Sequence, residues 1–117
     1  LQGTSENFSD YTPAGANPDF SFSVGASDAE FGFSPEGTDI TQRFKDNGVA
    51  CNAGALDTSE RCWAGFSTTA QTVVSRNSSN HPAGTGTTVA LRAEVGSSAS
   101  RGSGTYSATI TATATVQ

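Results

Sequence analysis

The chain offers little to a catalyst. Its one histidine, His81, stands in Asn80-His81-Pro82 on a polar stretch, with no second base in view. General acid–base work needs a group whose pKa lies near neutrality, most often a His or a carboxyl in an apolar setting. Most of the 11 Asp and Glu residues sit beside Gly, Ser or turn residues, which reads as solvated surface rather than a glycosidase pair. Cys51 and Cys62 are the two cysteines, and an even count in a small exported chain predicts a disulfide. Closing a loop this short stabilises a fold by about 3 kcal/mol on the chain-entropy model. A two-Cys metal site would need other spacings and a nearer His. Asp57, Glu60, Asp28 and Glu30 are acidic loop residues, but none belongs to the dense Asp/Asn/Gly loop of a calcium site. Lys45 adjoins Asp46 in a turn, not the buried Lys, Asn and acid of an internal cross-link. No catalytic residue, metal or cofactor is expected.

Other residues point to surfaces. Asn7-Phe8-Ser9 and Asn77-Ser78-Ser79 are sequons, so Asn7 and Asn77 are candidate glycan sites. Trp63 follows Cys62 and faces away from it in a regular strand. Core packing is its expected role; sugar stacking is the alternative if the ring is exposed.

Composition narrows the class. The 117 residues fit one domain. Apolar residues make up 34% and charged residues 15%, so the core is thin and the surface is rich in Ser, Thr, Asn and Gly. The net charge is -5, and the 6 basic residues are scattered singly. Nucleic-acid binding needs clustered Lys and Arg, so it is not expected, nor is docking on anionic lipid. No stretch approaches the roughly 18 apolar residues of a membrane span, so no membrane insertion is expected. A chain without Met that starts at Leu1 reads as one processed by loss of a signal peptide, which predicts secretion.

Alternation carries the secondary structure. In 19–25, Phe20, Phe22 and Val24 face one way and Ser21 and Ser23 the other, the period of a half-buried strand. Phe31 and Phe33 repeat it, and a turn is expected at Pro35, Glu36 and Gly37. Short extended pieces are expected at 40–44, 61–68 and 71–75, with a polar connection over 76–86. In 87–95, Val89, Leu91, Ala93 and Val95 alternate with Thr88, Ala90, Arg92 and Glu94. In 104–117, Tyr106, Ala108, Ile110, Ala112, Ala114 and Val116 share one side and a row of Thr and Ser the other. Thr forms helices poorly and strands well. Extended, that last segment would run about 46 Å, against about 17–20 Å for an ordinary strand. Such a strand bends between sheets or pairs with another molecule. A Thr row also occurs on ice-binding faces, but those need several aligned rows, so a solvated sheet face is the reading taken.

The elements Asn47-Gly48-Val49-Ala50-Cys51-Asn52, Cys62-Trp63, Ser67-Thr68-Thr69, Asn80-His81-Pro82, Gly84-Thr85, Thr87-Thr88-Val89, Arg92-Ala93-Glu94 and Gly104-Thr105-Tyr106-Ser107-Ala108-Thr109 together form a pattern. Over 47–113 it resembles small secreted β-sandwich surface proteins of uncultivated small-genome bacteria. The ending, with Gly104-Thr105-Tyr106-Ser107 before alternating Thr, is similar to the last strand of spore-coat-U-type and other pilin domains. The resemblance implies a secreted surface protein and supplies no catalytic residue.

These readings give an all-β fold: an immunoglobulin-like or pilin-like antiparallel β-sandwich with one disulfide. Residues 1–18 form an arm that is a donor or edge strand, and 19–117 form the domain. The expected function is a structural subunit of an extracellular filament, pilus or surface layer, built by strand exchange between copies of the chain. The exchanged piece is either the arm, anchored by Leu1, Phe8 and Tyr11, or the end of 104–117. The alternative is a monomeric cell-surface module for carbohydrate or adhesion, with Tyr11, Trp63 or Tyr106 as an exposed platform.

Overall fold

In the computed structural model, which describes residues 6–115, four strands form one sheet. They are β1 (Ser9–Asp10), β2 (Ala29–Glu36), β3 (Ala64–Gly65) and β4 (Thr88–Val95). β2 is central. β4 pairs antiparallel along all of one of its edges, from Ala29 opposite Val95 to Glu36 opposite Thr88. The other edge is shared: β1 runs parallel beside Glu30 and Phe31, and β3 runs antiparallel beside Gly32 and Phe33. The chain is thus β-rich, with a single three-residue 3-10 turn, Gln42–Phe44, among the described residues.

Alternation along β2 sends its side chains into two apolar clusters. On one face Phe33 packs with Ile40, Phe44, Ala64 and the Cys51–Cys62 disulfide. On the other, Tyr11, Phe22 and Trp63 pack together. The Tyr11 and Phe22 rings stack at 4.3 Å, and Phe22 meets Trp63 edge-on at 5.2 Å. Gly32 and Gly65 are paired across β2 and β3 beneath Tyr11. A Cβ at Gly65 would lie 1.9 Å from the Tyr11 carbonyl oxygen, so only glycine lets the arm lie this close. Trp63 is 2% exposed and sits in the cluster opposite Cys62, as its neighbouring position in the strand requires.

Several expectations are corrected. Pro35 and Glu36 do not turn; they extend β2, and the chain reverses at Gly37, whose φ is +140°. Proline is tolerated there because only β4 flanks β2 at Pro35, β1 and β3 having ended before it on the other edge. Residues 19–25 show the expected alternation, with Phe22 buried and Ser21 and Ser23 exposed, but no strand. Asp19 alone bridges to Trp63. Phe20 packs at the disulfide cluster while Phe22 and Val24 join the other, so the segment threads between clusters instead of along a partner. The piece around Ile40 contributes one bridge, to Val74, and then winds into the 3-10 turn.

Two corrections bear on function. β4 forms where alternation predicts it, but its apolar side is outward: Val89, Leu91 and Val95 are 47%, 52% and 40% exposed. Ala90, on the opposite side, packs against the Tyr11–Trp63 cluster, and the Arg92 guanidinium lies over the Phe22 ring. The last segment is not a strand within the chain: residues 108–115 have neither ladder nor bridge and are all exposed. Among the described residues no strand edge pairs with them.

Candidate functional site

The chain leaves two structures half-finished, and both are apolar. The first is β4. Its inner edge is fully paired with β2, while its outer edge has no backbone partner among the described residues. Directly opposed residues of antiparallel strands share a face. Leu91 is therefore on the same face as Phe33, and Ala93 on the same face as Phe31. Phe31 and Phe33 are buried beneath Phe66 and the disulfide cluster, whereas Leu91 is half open. The cover ends at β2 and leaves an apolar strip along the β4 edge. An open, flat, apolar edge is a template for another strand.

The second is the end of the chain. After β4, the Gly96 N–H still bonds the Asp28 carbonyl, and the Ser98 N–H bonds that of Ala26. The chain then crosses to the β1 side. There Arg101 Nε donates to the Asn7 carbonyl at 3.0 Å, and the Gly102 N–H bonds a Glu6 carboxylate oxygen. The Tyr106 ring meets Phe8 edge-on at 5.0 Å, and its hydroxyl donates to the Gly102 carbonyl at 2.8 Å. Beyond this anchor, Ala108, Ile110, Ala112 and Ala114 are exposed, and Ile110 is 47% accessible. The Cα radius of gyration is 15.6 Å, above the roughly 13 Å of a compact chain this long.

Of the other expected assembly residues, Phe8 is half-buried and Tyr11 is 3% exposed, so these arm residues are held down by their own chain. Leu1 and Val116 lie outside the described residues. Asn7 and Asn77 are exposed. The outward face of β4 was missed by sequence reasoning. The local signal pointed the other way, because Arg92 and Glu94 share the side opposite Leu91 and pair with each other at 2.8 Å. Charged residues ordinarily mark the outer face, and here the Arg92 guanidinium lies over the buried Phe22 ring.

Ionisable groups serve packing. Asp46 is fully buried. It accepts the Gly48 N–H at 2.7 Å, and the Thr58 N–H and hydroxyl at 3.0 and 3.1 Å. Burial alone would raise its pKa; these bonds and the charge of Arg61 reverse that and hold it below the usual carboxylate range. A carboxyl held ionised in this way has no proton to give at neutral pH. The Tyr11 hydroxyl, pushed up by burial, donates to Asp19 at 2.7 Å. Burial also raises the pKa of Glu30, against a bond from the Thr12 N–H. His81 is exposed on the 76–86 loop, which Arg76 ties to Asp39 through a 2.9 Å ion pair. Among the described residues no three His, Cys, Asp or Glu side chains converge, and no helix is long and apolar enough to cross a membrane.

Comparison with protein-family models, with curated proteins and with solved structures returned no match.

Proposed function

We propose that this chain is a non-enzymatic structural subunit of an extracellular filament, pilus or surface layer, whose copies join by strand exchange. One observation carries the reading: residues 108–115 form an uncharged, alternating strand sequence that pairs with no strand among the described residues. Strand-forming residues left unpaired in one copy gain backbone hydrogen bonds and apolar burial only from another. The Cys51–Cys62 disulfide fits an oxidising, extracellular compartment. The similarity of 104–109 to the last strand of pilin domains supports the same reading. The immunoglobulin-like or pilin-like sandwich belongs to this proposal as well: a second layer over the open β4 strip would come from assembly.

The alternative, a monomeric module for carbohydrate or adhesion, loses its expected platform. The Tyr11 and Trp63 rings are buried, and Tyr106 is spent on Phe8. Negative-stain electron microscopy of the native, unboiled protein, with a sizing column beside it, separates the two. Regular filaments or sheets that resist detergent are expected. A monomer at every concentration would overturn the polymer reading and return attention to glycan arrays.

A further inference from the structure

We infer that residues 108–115 of one copy add as a fifth strand to the outer edge of β4 of the next copy, head to tail. This rests on the strand-exchange reading above and names both of its halves.

The arm is not the donor. Ser9 and Asp10 already pair with β2, and the Tyr11 N–H bonds the Phe31 carbonyl at 2.9 Å. Lending the arm would expose Phe22 and Trp63, which Tyr11 covers. Lending residues 108–115 costs nothing comparable, because they are exposed and pair with no strand among the described residues.

The acceptor follows from the sheet. β2 has both edges occupied, and β1 and β3 are two residues each. β4 offers eight residues whose outer edge has no backbone partner among the described residues, and the donor segment is of matching length. The side chains also match. Ala108, Ile110, Ala112 and Ala114 would lie beside Val89, Leu91, Ala93 and Val95 and widen the apolar strip that Phe31 and Phe33 begin. The Thr row would continue the side that carries Thr88, Ala90, Arg92 and Glu94. Neither the donor segment nor the strip has a charge to bury.

The segment cannot take this place on its own chain while its anchor holds. β1 and β4 flank opposite edges of β2, since Glu30 and Phe31 pair with both. From Tyr106, at the β1 side, the outer edge of β4 is three strand spacings away, about 14 Å. Ala108 follows by two residues, a reach of about 7 Å. A neighbour's β4 carries no such restriction. Because donor and acceptor are different surfaces, the contact is heterologous, and unless its rotation closes a ring it propagates into a fibre.

Two full-length variants test this by complementation. Ala112→Pro removes a strand hydrogen bond from the donor, and Leu91→Lys places a charge on the acceptor strip. Both positions are exposed, so both variants should keep the parent's far-ultraviolet circular dichroism and melting temperature. Ile110→Asp serves as a second donor variant. In sedimentation velocity the parent should associate, each variant alone should be monomeric, and an equimolar mixture should form dimers and stop there. In that dimer Leu91→Lys lends its segment to the intact β4 of Ala112→Pro. If both donor variants associate like the parent, or the mixture stays monomeric, the assignment is wrong while the assembly reading stands. If the parent itself never associates, both fall.

Discussion

A chain carrying Asp46→Ala should unfold with a free energy about 4 kcal/mol below the parent's. The carboxylate is fully buried and holds three donors, two of them from Thr58, twelve residues on. Its backbone is also shared: the Asp46 N–H bonds the Leu56 carbonyl at 2.9 Å, and the Leu56 N–H bonds that of Asp46 at 3.0 Å. The loop that carries Cys51 is thus folded around this one side chain. Alanine leaves the Gly48 and Thr58 amides without this partner at a part-buried site, and a domain has only about 5–15 kcal/mol to lose. Urea titration followed by circular dichroism measures the loss; a change under about 1 kcal/mol would show that water replaces the carboxylate freely.

The same group gives a signed pH dependence. Its folded pKa lies below its unfolded value, so its contribution is complete above about pH 4 and is lost as pH falls through the folded value. Glu30 works in the opposite sense. Its folded pKa is raised, so its contribution is present at low pH and lost as pH rises through that value. The urea midpoint of the parent should fall on acidification below about pH 4, and that of Asp46→Ala should fall less.

Trp63→Ala should cost a similar amount, about 4 kcal/mol. The indole is 2% exposed, packs edge-on to Phe22 and donates Nε1–H to the Glu60 carbonyl at 3.0 Å. Its removal empties the centre of the cluster that holds the arm against β2. Trp63→Phe keeps part of the volume and should lose about half as much. Because Trp63 is the only tryptophan, the titration must follow circular dichroism rather than indole fluorescence. If Trp63→Ala is as stable as the parent, the ring is not a core element, and the sugar-stacking reading regains its ground.

What was legible in the sequence is what period-2 alternation and local chemistry decide. β2 and β4 stand where Phe31–Phe33 and Val89–Val95 alternate, the two cysteines pair, and Trp63 opposes Cys62. Alternation says that a strand has two faces, but not which face is covered. That depends on distant pieces: Phe22 and Tyr11 cover the Ala90 side of β4, while the disulfide cluster stops at β2 and leaves Leu91 open. Nor does alternation supply a partner, so residues 19–25 and 108–115 share the signature and form no ladder. Asp46 was hidden for another reason. An Asp before Asn47-Gly48 reads as an exposed turn residue, and only the return of Thr58 buries it.

The central claim is that residues 108–115 are a strand waiting for a sheet in another copy. Hydrogen–deuterium exchange, read by mass spectrometry on the dilute monomer and on the associated protein, tests it most directly. In the monomer the amides of 108–115 should exchange at free-chain rates, because none is bonded to another described residue. In the associated protein those amides and the outer-edge amides of β4 should become protected together. Association in which 108–115 still exchange as a free chain would contradict the claim.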